Sequence, residues 1–418
     1  MQKKSKCIQI LFVLLLTMTL SACAPQEETQ VVELEVLPIE ETIPEPTPTP
    51  EPEFEEYDIQ LMSLGDNLIH MGVVNTGKQE DGSLNYDCLF ETMKPYLAEA
   101  EIKVINQETV FGGNHLGFSG YPHFNSPTEI GDAIADAGFN VVLQASNHSA
   151  DQGMEGIYHC AEYWDMHPEV TMLGIYGKEE EQETVKYLEI DGFRFALLNY
   201  TYGPNYETLI PGLAEHMDIL CDYNRNTGLM DYTSLNPKVL EDIAEAELRA
   251  DFVIVFPHWG TEYTTEPSSY QKKFAEMMTE AGADVIIGTH PHVVQPVEWV
   301  TASNGNSALC YYSLGNYVST QKDTISMLEA MAWVSFHVTE DGIYLNGEKS
   351  GALPLVCHYN SGPLRIEAVY PLEEYTEDMA VRHGITPYGG KILKVSELEQ
   401  KCNEILGDFT LSTEDIVQ

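Results

Sequence analysis

Basic residues are scarce in this 418-residue chain: 21 Lys and Arg stand against 66 Asp and Glu, a formal charge of −45. That shortage excludes nucleic-acid binding by phosphate neutralisation, which needs Lys and Arg along the contact. It equally excludes docking on anionic lipid through a basic patch. An acidic protein that handles an anionic substrate needs a local cation, such as a metal. Paired cysteines are also missing. Cys88, Cys160, Cys221, Cys310, Cys357 and Cys402 are widely scattered, with no CxxC among them. This excludes a zinc ribbon or a thioredoxin-type site and leaves both disulfides and buried free thiols open. The longest apolar run falls short of the roughly 20 residues of a membrane-spanning helix. No fixed-period repeat is present, so a solenoid is excluded. What remains is enough for a large core, since 43% of the residues are hydrophobic.

The N-terminus reads as an address and an anchor. Lys3, Lys4 and Lys6 precede a short apolar run from residue 7 to residue 20, followed by Ser21-Ala22-Cys23. This is a secretory-signal pattern. Small residues before a cysteine resemble the bacterial lipoprotein box, with Cys23 lipidated as the mature N-terminus. The expectation is a lipid anchor on the extracytoplasmic face of a bacterial cell membrane. Residues 24–57 contain no Lys or Arg, and residues 42–52 read TIPEPTPTPEP. Alternating Pro and Glu favours an extended, self-repelling spacer, expected to tether the following domain.

From residue 59 onward the pattern is α/β. Strand-length apolar runs alternate with helical patterns bounded by Gly or Pro. The clearest helix starts at Pro267-Ser268, carries Tyr270, Phe274, Met277, Met278 and Ala281 at helical spacing, and ends at Gly282. A second helix is expected near 396–406. The residues just after each strand carry the chemistry. The run 59–64 ends in Gly65-Asp66, and 102–105 in Asn106-Gln107-Glu108. The run 141–145 ends in Ser146-Asn147-His148, 252–256 in Pro257-His258, and 285–287 in Gly288-Thr289-His290-Pro291-His292. Ligands of open α/β sheets sit outside the carboxyl ends of strands. Carboxylate, amide oxygen and imidazole together suit Mn, Fe or Zn rather than Ca or Mg. Residues 112–127, rich in Gly and aromatics with His115 and His123, are read as a loop that either covers such a site or is ordinary surface.

These residues resemble the poly-γ-glutamate capsule synthesis family of the CapA type, within the calcineurin-like metallophosphoesterase superfamily. The resemblance rests on residues 65–70 (GDNLIH), 106–108 (NQE), 146–153 (SNHSADQG), 258–263 (HWGTEY), 288–293 (GTHPHV) and 312–317 (YSLGNY). It implies an α/β fold, a four-layer α/β/β/α sandwich of the metallo-dependent phosphatase type, over residues 58–375. Residues 376–418 would then be a partly helical extension. By motif, the resemblance gives Asp66, Glu108, Asn147, His258, His290 and His292 to one or two divalent transition metal ions, with Glu108 bridging. It gives His148 the part of general acid, oriented by Asp151. His70, Asn106, Glu262 and Asn316 are secondary candidates near the same pocket. Two departures matter: Leu68 stands where the superfamily has a His, and Glu108 stands where it usually has an Asp. The implied function is a metal-dependent hydrolase or transferase acting on an anionic surface polymer such as poly-γ-glutamate. A non-catalytic assembly or export component that binds polymer or a membrane-bound capsule synthase is the second reading. A general extracytoplasmic phosphoesterase is the third. No nucleic-acid partner is expected.

Overall fold

The computed structural model describes residues 54–178 and 182–417. The residues read as a signal sequence, Cys23 and most of those read as a tether lie outside the described residues. Chain order builds one sheet, leaves it for a second, and then returns. The first stretch supplies β1 (Tyr57–Asn67), α1 (Met71–Thr76), α2 (Lys94–Ala98), β2 (Ile102–Asn106), α3 (Glu129–Ala137), β3 (Val141–Leu143), α4 (Gly153–Trp164) and β4 (Thr171–Leu173). The middle supplies β5 (Lys186–Ile190), β6 (Phe193–Thr201), a small hairpin of β7 (Cys221–Tyr223) and β8 (Met230–Leu235), α5 (Pro237–Glu247) and β9 (Phe252–His258). It continues through α6 (Ser269–Ala281), β10 (Val285–Ile287), β11 (Val297–Thr301) and β12 (Ser307–Tyr311). The last stretch is β13 (Asn316–Val318), β14 (Leu328–Thr339), β15 (Gly342–Ser361) and β16 (Leu364–Pro371). After it come α7 (Glu377–Arg382), α8 (Ile385–Gly389) and α9 (Val395–Ile405).

The larger sheet runs β16-β15-β14-β1-β2-β3-β4, with β13 also on β1; the smaller runs β11-β12-β10-β9-β6-β5. Strands β1 to β4 are parallel, as are β6, β9, β10 and β12. Their buried, Val- and Ile-rich segments fit parallel strands covered on both faces. The sheets pack face to face. Phe336 of the larger sheet touches Phe195 and Phe252 of the smaller at ring separations of 5.0 and 4.5 Å. The Tyr311 hydroxyl also crosses to the Trp333 carbonyl at 3.0 Å. Helices α3 and α4 link the parallel strands of one sheet, and α5 and α6 those of the other. The result is the α/β/β/α sandwich. No helix of the described residues is long and apolar enough to cross a membrane.

Local chemistry explains the boundaries. Ser268 caps α6 in a reciprocal capping box with Gln271, and Gly282 closes the helix at φ +117°. Strand β1 runs past the expected boundary, through Gly65-Asp66, because β13 pairs with it there in parallel, Asp66 opposite Asn316. A Cβ at Gly65 would lie 2.1 Å from the Gly315 carbonyl oxygen, so only glycine lets the two strands approach at the site's edge. All six described cysteines are free thiols, five of them buried.

Residues beyond 375 pack into the same core, with Ala380, Ile385, Leu398, Cys402 and Leu406 all buried. His383 pins the start of this segment. It is fully buried, with Nε2 2.9 Å from the Cys357 carbonyl and Nδ1 accepting from the Ile385 amide at 3.0 Å. That pattern needs a neutral imidazole. Burial pushes its pKa down to about 4, the Cys357 hydrogen bond opposing and His358 adding to the shift. The folded value lies below the ordinary His value of about 6.5. Stability is therefore full above pH ~6.5 and falls as the pH drops towards 4, by roughly 3 kcal/mol in all. Denaturant unfolding at a series of pH values should show this loss. His383→Gln should flatten the slope between those limits, and an unchanged slope would refute the assignment.

Candidate metal centre

Five strand ends converge at one edge of the paired sheets. Asp66 lies at the end of β1 and Glu108 two residues beyond β2. Asn147 and His148 follow β3, His258 ends β9, and His290 and His292 follow β10. All seven are buried. The Asp66 carboxylate is held on several sides. Oδ1 accepts from Asn106 Nδ2 at 2.8 Å, Oδ2 sits 2.9 Å from His292 Nδ1, and the His290 amide donates to both oxygens at 3.2 and 3.3 Å. His258 Nε2 meets Asn147 Oδ1 at 2.8 Å, and its Nδ1 meets the Thr289 hydroxyl at 2.9 Å.

Glu108 lies between these two halves. Its oxygens are 3.8 Å from His258 Nε2 and from His292 Nδ1, and neither has a hydrogen-bond partner. His290 Nδ1 and Asn106 Oδ1 are likewise buried without a partner. Orphaned buried polar atoms are costly in a native core, and an unplaced ion is one of the standard explanations. One ligand atom each from Glu108, His290 and His292 falls within 4.8 Å of the others. A carboxylate with two imidazoles fits a divalent transition ion.

The electrostatics point the same way. Burial pushes the Glu108 carboxyl well above the usual range; His292 opposes this, while Asp66 and Glu262 add to it. Burial and then neighbouring imidazoles push His258 and His290 well below the ordinary histidine value. Burial works to lower His292 too, but Glu108 and Asp66 outweigh it and hold the imidazole up at about 9. A cation at this point would satisfy the carboxylate and favour neutral imidazoles. The backbone is strained here as well. Of the four non-glycine residues at positive φ among the described residues, three are Tyr263, His290 and His292, at +60°, +96° and +57°. Such strain persists where the surroundings over-determine it, and it clusters at functional sites.

His148 stands at the side of the centre. Its Nδ1 is 2.8 Å from Asp151 Oδ2, and that same oxygen accepts the Phe124 amide at 2.7 Å. The Phe124 ring meets the imidazole edge-on at 4.7 Å, so the 112–127 loop does reach this site. The secondary candidates divide. Asn106 grips Asp66, and Asn316 Nδ2 reaches the His292 carbonyl, at 3.4 Å, and Gln321 Oε1, at 3.1 Å. Glu262 is exposed at the mouth. The His70 Nδ1 accepts from the Thr320 amide at 3.4 Å, and its ring packs against Phe124. Burial drops its pKa to about 3. It is not one of the three converging ligands.

Sequence reasoning passed over Asn205 and Tyr202. Asn205 accepts from Asn147 Nδ2 at 3.0 Å and lies 3.4 Å from His148 Nδ1. The Tyr202 ring lies 4.8 Å from that of His290. Tyr202 follows directly on β6 and Asn205 three residues later, so the rule that found the other strand ends points to them too. Glu329, on β14, is a fully buried carboxyl with neither oxygen partnered, its pKa raised by burial and then by Asp66. It lies within an apolar strand and carried no sequence signal.

Comparison with known proteins completes the picture. The chain is 28% identical over 261 residues to the PGA biosynthesis protein CapA of Bacillus subtilis (strain 168), covering 61% of this chain and 62% of that protein. It is 29% identical over 225 residues to the capsule biosynthesis protein CapA of Bacillus anthracis, covering 53% and 49%. The chain thus spans about half to three fifths of the length of these curated relatives. Among solved structures, a hypothetical protein from Thermus thermophilus aligns with a TM-score of 0.38 at 14% identity, over 69% of this chain and 99% of that one. The model of the family described as bacterial capsule synthesis protein PGA_cap matches residues 60–321, a span that holds every residue of the centre. The chain belongs to the bacterial capsule synthesis protein family.

Proposed function

We propose that this protein is a metal-dependent hydrolase or transferase acting on a γ-glutamyl or related cell-surface polymer, lipid-anchored through Cys23 on the extracytoplasmic face of the membrane. The observation that carries the reading is Glu108: a buried carboxylate with both oxygens unpartnered, facing His290 and His292 across a gap of ligand size. Manganese, iron or zinc fits that donor set, with Asp66, Asn147 and His258 beside it. Such an ion supplies Lewis acidity at an amide or phosphate centre and activates water. The rest falls to the chain. Asp66 fixes the ring of His292, Thr289 fixes that of His258, and Asp151 holds His148 ready to protonate a leaving group. The family's description as capsule synthesis proteins supports the polymer as substrate class.

A second reading, a non-catalytic assembly component that binds polymer or its synthase, has its own support. Leu68 is buried where the superfamily offers a ligand, and the Asp66 oxygens are already engaged by the protein. One experiment separates the two. Capsule should be measured in cells carrying His258→Ala or His290→Ala protein of normal abundance. The enzymatic reading expects the polymer's amount or chain length to change at least tenfold. Wild-type capsule in both strains would leave the scaffold reading in place.

A further inference from the structure

A cavity of about 270 Å³ opens directly beside the centre. Its walls include Tyr202, Tyr232, Tyr270 and Trp259, with Gly260 and Thr261 at the edge. Tyr202 joins it to the centre: one ring stacks on His258 at 6.4 Å and 8°, approaches His290 at 4.8 Å, and meets the Tyr232 ring at 5.9 Å. None of the lining residues is charged, in a chain where 21% of residues are. Two of the tyrosines are open to solvent, Tyr232 at 40% and Tyr270 at 45% exposed. The hydroxyls of Tyr270 and Thr261 make no hydrogen bond among the described residues, which leaves them available to a ligand.

We infer that this cavity is a subsite for one uncharged sugar ring. Size sets the first limit. The volume falls just below the roughly 300–1,000 Å³ of pockets that engulf a drug-sized ligand, so it suits a single ring. Charge sets the second. A carboxylate placed here would lose its hydration with no cation to replace it. The glutamyl side chains of a polyanion therefore do not belong in this pocket, whatever the metal centre does with them. Chemistry sets the third. Aromatic faces interleaved with hydroxyls suit a ligand that is apolar on its faces and polar round its rim, which describes a pyranose. The ring would lie against Tyr202, whose other neighbours are His258 and His290. On the reading proposed above, the substrate or acceptor then includes a glycan portion next to the group that reacts.

The test is binding, with metal removed by EDTA so that it does not depend on catalysis. Full-length protein is titrated with chitotetraose, cellotetraose and a γ-glutamyl tetrapeptide, by calorimetry and saturation-transfer NMR. A tetrasaccharide should bind, and Tyr232→Ala and Tyr270→Ala should each weaken it about tenfold, whereas Tyr270→Phe, which keeps the stacking face, should change it less than about threefold. The subsite is overturned if neither saccharide binds at millimolar concentration, if both alanine variants bind as tightly as wild type, or if the γ-glutamyl peptide competes for the same tyrosines. Saccharide binding alongside a wild-type capsule in the His290→Ala strain would sustain the subsite and sink the enzyme.

Discussion

Replacing His290 and His292 together by alanine is expected to remove all transition metal from the full-length protein while leaving it folded. Wild-type protein, loaded and then desalted, should hold one or two ions per chain by elemental analysis. The double variant loses both imidazoles that converge on Glu108, and the donors left beside it are already engaged, Asp66 by Asn106 and His258 by Asn147 and Thr289, so a transition ion should not survive desalting. The fold should survive because both rings sit at the edge of the sheets, outside the Phe195–Phe252–Phe336 core. The backbone supplies an internal control. His290 and His292 adopt φ of +96° and +57°, and alanine inherits that strain. Glycine does not. The corresponding double glycine variant should therefore be metal-free as well, yet more resistant to denaturant than the alanine variant by roughly 1–2 kcal/mol per position. Metal retained by both variants would refute the centre. A single ion in the wild type would fit Leu68, where the resemblance expects a histidine.

Much of this arrangement is legible in the sequence, for a physical reason. Parallel strands buried on both faces are largely apolar, so the polar cluster that follows each one stands out, and in this fold that cluster borders the site. Asp66, Glu108, Asn147, His258, His290 and His292 all stand out in this way, and the sandwich brings their strand ends together. Helix α6 is equally plain, since its capping box and its terminal glycine lie at the spacing that helix ends require. The return of the chain to the first sheet is not legible. Strands β14, β15 and β16 carry no chemical motif, and their pairing with β1 is a long-range choice that no local window contains. The partnering of the ligands is hidden for the same reason. Nothing near Asp66 in the sequence says that its carboxylate is gripped by Asn106 and by the amide of His290, 224 residues away. Leu68 illustrates the limit from the other side. It stands where the resemblance expects a histidine, but only the structure shows it buried, 2% exposed.

On the hydrolase reading proposed above, His148→Gln is expected to lower the turnover of the metal-loaded protein by about 10² to 10⁴-fold for a substrate with a poor leaving group, with metal content unchanged. The geometry singles out one nitrogen. Asp151 holds Nδ1 at 2.8 Å, and Phe124 packs against the ring, so Nε2 is left to meet the substrate. Asp151 is itself fixed by the Phe124 amide, so it acts as an orienting group and should matter less; Asp151→Asn should cost about 10- to 100-fold. A general acid is needed only when the departing group must be protonated. An alkyl phosphate, whose alkoxide is strongly basic, should therefore suffer the full loss in His148→Gln. p-Nitrophenyl phosphate, whose phenolate leaves unprotonated, should be nearly spared. The dependence of rate on leaving-group basicity should accordingly be steeper in the variant than in the wild type. A merely structural role predicts something else: both substrates would fall together and the slope would not move. Equal losses would thus remove His148 as the acid and leave Asp151, Phe124 and Asn205 as supports for a ring that only shapes the pocket.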